Sequence, residues 1–496
     1  MKGDFTRDTF DPHQHFIRVL MQQGRVQLDA DWNEQAAILL HYLQSLARDL
    51  IGPFGGPGDG FKIEQLLDNT GTVINNDFAV SAGNYYVDGI LCENERDLAY
   101  TGQPDYPLLE NPELGGIYLV YLDVWERHVT WVEYPNMREI ALGGPDTATR
   151  AKIVWQVKVT NEPPTGRTLD CTDAKDHWQD WIDKWQPPNR GRLKARAKKP
   201  ATGATDPCAI SPEFQFRGPE NQLYRVEIHT EGNAGTATFK WSRDNGAVIF
   251  PIRKLAGGIV TLYNLGPDDR RGLQPGQWVE IMDDDRAKRG EALYLLQIAD
   301  IDRVEKIVAL SNPDNLDLPQ YDEDTTAMDE SQHPLLRRWD TQPGAESAEI
   351  VIEEGTTDDD WIDLEDGVQI QFRPAPVGEA AQQYGTGDYW LIPARIATGD
   401  VLWPKARDEN DELVPAAKPP HGITHHFAPL AIITVTAGAV AVDSDCRCMS
   451  KLACAAPAAG TSLSATAAAL NLKAEAKPLA ASKKKTTTAF EKKAKK

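Results

Sequence analysis

The sequence has few cysteines, no long apolar run and no apolar leader. Six cysteines in 496 residues are too sparse for a fold that depends on disulfides. No stretch approaches the ~18 apolar residues that a membrane helix requires. The opening residues, MKGDF, lead directly into polar sequence and lack the core of a secretory signal. We therefore expect synthesis in the cytoplasm without a signal peptide and no membrane insertion.

The sequence also lacks the common catalytic signatures. We find no Gly-x-Ser-x-Gly elbow, no His-Glu-x-x-His pair, no phosphate-binding loop and no dinucleotide fingerprint. A glycan hydrolase would need two carboxylates across a sugar cleft, and 74 acidic residues do not single out such a pair. We predict a protein that is not an enzyme and that has no catalytic residues, no cofactor and no metal site.

Charge is abundant but unevenly distributed. The formal net charge is −22, while residues 461–496 hold nine Lys and two Glu, a balance of +7 that leaves −29 on the remainder. Such a body repels phosphate backbones, because nucleic-acid binding needs clustered cations. We predict no nucleic-acid partner. Solubility explains the acidic surface, and contact with a basic partner subunit is the alternative.

Short apolar runs dominate the chain. Residues 117–125 are rich in β-branched and aromatic residues, residues 222–229 alternate between polar and apolar, and turn-forming residues separate such runs. A chain of this length exceeds one hydrophobic core. We predict a mainly β, multidomain protein of β-sandwich or small-barrel modules, with an N-terminal hairpin plus helix and a disordered C-terminal tail.

Composition divides the chain into six predicted segments. Trp178, Trp181 and Trp185 precede basic residues in one of them, which indicates either nucleic-acid binding or a helical turn followed by a linker; the acidic body favours the second. The segments are a docking or oligomerisation element (1–60), a β domain (61–160), a linker or insert (161–207), a β domain with a small barrel (208–325), a C-terminal β domain (326–450) and a disordered Ala/Lys-rich tail (451–496).

The N-terminal helix is the strongest local prediction. Gln23-Gly24 predicts a hairpin turn between Phe16–Met21 and Arg25–Leu28. A helix should begin near Asp29 and end at Gly52-Pro53. Its apolar residues form one stripe with 4-3-4-3-4 spacing: Trp32, Ala36, Leu39, Leu43, Leu46 and Leu50.

The stripe has two interpretations. It could dock on the chain's own β domain, which the short length favours. Alternatively it could form a coiled-coil seam between copies around a symmetry axis. The candidate interface residues are Trp32, Leu39, Leu43, Leu46 and Leu50.

Histidine, aspartate and cysteine are the residue types that could support metal or redox chemistry. His421, His425 and His426 are close in sequence, as are His13 and His15, but neither group meets a ligand template. Residues 283–285 and 358–360 are Asp triplets outside the calcium-loop frame, so solvated turns explain them better. We expect no metal at any of these places.

The spacing of the cysteines does not indicate a metal site either. Cys446, Cys448 and Cys454 follow C-x-C-x5-C, which is not the usual zinc spacing. With Cys92, Cys171 and Cys208 scattered, free thiols are the simplest expectation. In an oxidising exterior, Cys171 and Cys208 could pair across the predicted linker.

Several segments together resemble a known family. They are Lys2–Phe5 with Val19–Val26 and Leu28–Glu34, then Asp123–Arg127, Ala141–Arg150, Glu220–Glu227 and Gly387–Arg395. In this order they are similar to an uncharacterised domain-of-unknown-function family found beside phage-tail-like genes, including extracellular contractile injection systems. The resemblance covers about residues 1–445, and it brings no established catalytic residues.

The resemblance implies a structural or interaction component of a phage-tail-like contractile particle, associated with the baseplate or a fibre. Its partners would be other tail or baseplate subunits, or further copies of itself, within a particle that can be released. Two alternatives stay open. One is a tail protein that binds or degrades surface glycans. The other is cargo of the particle, or an adaptor for that cargo.

Overall fold

The computed structural model describes residues 1–108, 112–198, 216–268, 270–292, 294–311, 316, 318–322, 332–341, 347–408 and 411–449. The predicted tail, 451–496, lies outside the described residues. The prediction of a mainly β chain with several sheets is confirmed. None of the helices in the described part of the chain is long and apolar enough to span a membrane.

Strands far outnumber helices along the chain. The helices are α1 (Asp29–Ile51), α2 (Cys171–Asp176), α3 (Trp178–Trp185) and α4 (Asp284–Arg289). The strands are β1 (Phe54–Gly55), β2 (Ile63–Leu67), β3 (Val73–Val80), β4 (Gly83–Val87), β5 (Ile90–Asn94), β6 (Leu98–Ala99), β7 (Gly116–Val129), β8 (Arg150–Thr160), β9 (Leu193–Ala197), β10 (Gln222–Thr230), β11 (Thr238–Ser242), β12 (Ile249–Ala256), β13 (Ile259–Leu262), β14 (Trp278–Met282), β15 (Leu295–Asp302), β16 (Ile307–Leu310), β17 (Tyr321–Asp322), β18 (Leu335–Trp339), β19 (Ile350–Val351), β20 (Ile362–Asp363), β21 (Val368–Phe372), β22 (Tyr389–Arg395), β23 (Asp400–Val401), β24 (Lys405–Arg407), β25 (Leu413–Pro415), β26 (His426–Thr436) and β27 (Ala439–Asp445).

The N-terminal region contains the predicted turn and the predicted helix. Gly24 has φ 70°, and the amide of Arg25 donates to the carbonyl of Gln22 at 3.4 Å. The residues on either side of this turn form no strand in the described segment 1–52, so the predicted hairpin is a turn within an irregular arm. The helix α1 ends where Gly52 takes a φ of 101°, which confirms its predicted end.

A four-stranded antiparallel sheet forms the first core. Its order is β27-β26-β7-β8, and β26 pairs with β7 so that Phe427 lies opposite Asp123. Two smaller sheets, β1-β4-β5 and β2-β3-β6, supply further residues to this core. The helix α3 covers it with Trp178 and Trp181, both buried. The helical turn of the favoured interpretation is present, and these two tryptophans are core residues.

A five-stranded sheet forms the second core, in the order β19-β11-β10-β22-β23. The central strand β10 is buried at every position from Gln222 to His229, so both of its faces are covered. The small sheet β20-β21-β9 packs against the same core, with Phe372 opposite Leu193.

The third core is a closed barrel. Six strands pair in a ring, β12-β13-β16-β15-β14-β18, and β18 returns to β12. Inward side chains such as Phe250, Val279 and Leu336 fill it. The small barrel predicted for this part of the chain is confirmed, although residues 335–339 complete it from beyond residue 325.

The three cores are nested along the sequence. The barrel lies between two parts of the five-stranded sheet, and that sheet lies between β8 and β26 of the first sheet. Segments 61–160 and 326–450 thus share one sheet, and segments 208–325 and 326–450 share another. The strand pairing does not follow the predicted boundaries, because partners come from distant parts of the chain.

Candidate functional site

The helix α1 directs its large apolar side chains to solvent. Trp32 is 79% exposed, Leu43 65% and Leu50 72%, and Leu39 and Leu46 are more than half exposed. We call the stripe of Trp32, Ala36, Leu39, Leu43, Leu46 and Leu50 the α1 face. The favoured interpretation, docking of this stripe on the chain's own β domain, is wrong. All five candidate interface residues lie on the surface.

The opposite side of α1 rests on the protein through Ile38 and through small and polar groups. Ala30 and Ile38 are its buried residues. The turn between β4 and β5 approaches so closely that a Cβ on Gly89 would collide with the carbonyl of Gln44. Thr6 donates its amide and hydroxyl to the carboxylate of Asp29, at 2.9 and 2.6 Å. The helix is therefore held in place without the large apolar residues of the α1 face.

The arm that precedes α1 enlarges the exposed apolar surface. Phe16, Ile17, Leu20 and Val26 are each more than half exposed. The amide of Val19 donates to the side chain of Gln35 at 2.8 Å, which ties the arm to the helix. Large apolar patches are uncommon on proteins that act alone and are typical of contact sites.

The interior beneath this region holds paired charges. Lys2 Nζ lies 2.9 Å from Glu227, Arg225 Nε lies 2.6 Å from the same carboxylate, and Lys240 Nζ lies 2.8 Å from Glu280. We call these five residues the ion network. Burial opposes ionisation of Glu227, but Lys2, Arg225 and Lys240 hold its pKa well below the usual range. The network links the N-terminus to the second core and to the barrel.

The three neighbouring histidines are each engaged separately. The Nδ1 atom of His425 lies 2.7 Å from Asp123, and that of His426 lies 2.8 Å from Asp88. His421 stacks on Tyr389, and burial lowers its pKa. The described residues contain no group of three or more His, Cys, Asp or Glu side chains that could hold a metal ion.

His13 and His15 lie apart from that region. Both are exposed at the 3-10 turn Pro12–Gln14, which Asp11 caps by accepting the amide of His13. Their position matches a capped turn at the surface.

The two Asp triplets cap short helices. Asp283 accepts the amide of Arg286 at the start of α4 and the hydroxyl of Tyr321 at 2.6 Å. In the second triplet, Asp360 and Thr357 form a capping box around a 3-10 turn. The carboxylates of Asp283 and Asp360 are thus used within the chain.

The cysteines pair differently from both expectations. Cys171 forms a disulfide with Cys446, not with Cys208, which lies outside the described residues together with Cys454. Cys92 and Cys448 are free thiols. The bond joins α2 to the end of β27 because both elements pack on the first core.

A cleft of about 630 Å³ opens where the three cores meet, and we call it the junction cleft. The middle of β7, the last turns of α3 and α4, the loop before β22 and the start of β26 all contribute to it. Its aromatic side chains are those of Tyr121, Trp125, Trp185, Tyr384 and Phe427. Sequence reasoning did not find this site, because its residues come from parts of the chain as far apart as Tyr121 and Phe427.

Two carboxylates of the cleft have opposite environments. Burial opposes ionisation of Asp123, but His425 and Lys158 hold its pKa below the ordinary value. Burial raises the pKa of Asp388 to about 7, although Arg190 lies 2.7 Å away. The second oxygen of Asp388, Oδ2, is buried and accepts no hydrogen bond from the described residues. One site thus holds one firmly ionised acid and one that titrates near neutrality.

Four of the segments that carry the resemblance converge here. Lys2, Asp123, Arg225 and Asp388 each belong to a different one, and all border the junction cleft or the adjoining ion network. The recognisable sequence segments therefore coincide with the contacts between cores. The chain matches the family DUF6519, described as a family of unknown function, over residues 1–186 and 189–496.

The chain belongs to this family. The match covers nearly the whole sequence and includes all three cores. No curated protein and no solved structure matches the chain. DUF6519 membership supplies no activity, so function has to be argued from the α1 face and the junction cleft.

Proposed function

We propose that this protein is a non-enzymatic structural component of a phage-tail-like contractile particle, associated with the baseplate or a fibre, and that its copies assemble through the α1 face. The exposure of the α1 face is the observation that carries the proposal. The sequence resemblance described above supports the choice of particle.

The exposed stripe is unfavourable for an isolated chain. Each Leu side chain left in water forgoes about 1.5–3 kcal/mol of burial free energy. The inner side of α1 already anchors the helix through Ala30, Ile38 and the Asp29 contacts. The large residues are therefore not needed to hold the helix, and association is the state that would bury them.

A second copy is the occupant that fits this face best. The 4-3-4-3-4 spacing places the stripe at the a and d positions of successive heptads. Five of the six flanking e and g positions are uncharged: Asn33, Gln35, Leu40, Tyr42 and Ala47. Only Asp49 carries charge there. Two chains with a net charge of −22 each can thus approach along a strip that adds little repulsion.

Light scattering on the purified chain tests the association. The wild type should be an oligomer, and Leu43→Asp should dissociate it, because a carboxylate would be buried at the centre of the seam. Arg48→Glu is the matched control. It introduces a carboxylate on the same helix outside the α1 face and should leave the oligomer intact.

A monomeric wild type at micromolar concentration would refute self-association. Equal dissociation by both variants would point to general charge effects instead of a seam.

The particle assignment needs its own test. Affinity capture of the full chain from its native cells, followed by mass spectrometry, should recover tube and sheath subunits in constant proportion. If these subunits are absent while the chain itself is recovered as an oligomer, the result supports self-association through the α1 face and contradicts the role in a contractile particle.

A further inference from the structure

We infer that the junction cleft is a saccharide-binding site that takes an uncharged sugar ring against Trp185. This site is independent of the α1 face and goes beyond the assembly role proposed above. Three properties support it: a rigid aromatic wall, basic groups that are already paired, and a polar rim with open hydrogen-bonding groups.

The aromatic wall is fixed by its own packing. Trp185 stacks on Tyr121 with ring centroids 4.0 Å apart and planes 14° from parallel. Phe427 and Trp181 support it at 4.9 and 5.6 Å. Trp185 is half-buried, so part of its ring faces the cleft. A ring held in this way can contact the C–H groups of a sugar through its exposed part at little cost in conformational entropy.

The basic groups of the cleft are satisfied within the protein. Five basic side chains line it, and each is ion-paired: Lys158 with Asp123, Lys184 with Glu162, Arg190 with Asp388, Lys288 with Asp105, and Arg289 with Glu291. A phosphate or nucleotide would have to break these pairs. An uncharged ligand can instead bind beside them and hydrogen-bond to their remaining donors and acceptors.

The rim supplies the open groups. Glu231, Asn233 and Gln383 are exposed at its edge. Their side chains form no hydrogen bond with the described residues. Carboxylate and amide groups can each accept from or donate to sugar hydroxyls. The volume of about 630 Å³ lies within the ~300–1,000 Å³ typical of small-molecule sites.

A glycan array probed with the full chain tests the inference, followed by calorimetric titration of the strongest neutral oligosaccharide. Trp185→Ala should weaken binding about tenfold or more, because a central aromatic contact is lost. Trp131→Ala is the matched control, since Trp131 is half-buried outside the cleft and should not affect binding.

A second variant guards against misfolding of Trp185→Ala. Glu231→Ala combined with Gln383→Ala changes only exposed rim side chains, and it should weaken binding several-fold. Wild-type chain that binds no neutral glycan, or that binds only phosphate-bearing polymers, would overturn the inference, as would rim and Trp185 variants that bind like wild type. Leu43→Asp should bind glycan normally per chain, which separates this test from that of assembly.

Discussion

The α1 face and the ion network invert the usual arrangement of a globular protein in opposite ways. The α1 face exposes Leu and Trp side chains, whereas the ion network holds Lys, Arg and Glu side chains of which all but Lys2 are almost completely excluded from solvent. An ordinary fold places apolar groups inside and charges outside. The exposed apolar stripe and the buried charges lie close together. Their combination indicates that this part of the protein is adapted to a function as well as to the stability of the isolated chain.

The two departures differ in whether their groups have partners. Every member of the ion network has an oppositely charged partner within 3 Å, so its desolvation is offset inside the chain. The α1 face has no such compensation among the described residues. The comparison suggests that the network is complete as it stands, while the α1 face is completed only by another molecule.

Removal of a charge from the ion network should cause the largest loss of stability. Lys240→Ala leaves Glu280 without its 2.8 Å partner at a buried position, which should cost about 3–5 kcal/mol of unfolding free energy. Urea denaturation of variant and wild type measures it. The matched surface change is Lys62→Ala, which breaks an exposed pair with Glu64 and should cost less than about 1 kcal/mol. Equal losses would show that the buried network is not stabilised by pairing.

The junction cleft should make stability depend on pH. Burial raises the pKa of Asp388 to about 7 from an unfolded value near 3.8. The folded chain therefore holds a proton that the unfolded chain releases. The resulting stabilisation is complete below pH 4 and is lost as pH rises through 7. For this residue it amounts to about 2–3 kcal/mol between pH 5 and pH 8.

Asp388→Asn cannot titrate, so its unfolding free energy should change less than that of wild type between pH 5 and pH 8. Denaturation at both values measures the difference, and the comparison with wild type removes the contribution of Glu365, whose pKa burial also raises to about 7. Asp123→Asn is the control, because the pKa of Asp123 is lowered and its stabilisation is lost only in acid. If the unfolding free energy of Asp388→Asn changed as much between pH 5 and pH 8 as that of wild type, Asp388 would not be the cause of the pH dependence.

Local elements could be predicted from the sequence, but the side of α1 that faces solvent could not. Periodicity identified the helix and its apolar stripe, and both are present. The same stripe would appear whether it faced a core or solvent, because spacing reports only that side chains share a face. The inner side was overlooked because Ala30 is small and Gln44 is polar, and a single Ile38 does not form a stripe.

Strand pairing was beyond sequence reasoning for a related reason. The strands were recognisable as apolar runs, but β26 joins β7 across about 300 residues and β22 joins β10 across about 160. Nothing in a single sequence specifies such partners. The same long separations hid the junction cleft and the disulfide between Cys171 and Cys446. Only the barrel, with most of its strands consecutive, could be anticipated.

The smallest expected effect provides the most direct test of the two sides of α1. Leu43 is 65% exposed, so Leu43→Asp should change the unfolding free energy of the dissociated chain by no more than about 0.5 kcal/mol. Ile38 lies on the opposite side at 1% exposure, and Ile38→Ala should cost about 2–5 kcal/mol through the cavity that it leaves. Denaturation at low chain concentration, where the oligomer is dissociated, compares them. A loss at Leu43 that matches the loss at Ile38 would mean that the stripe packs within its own chain.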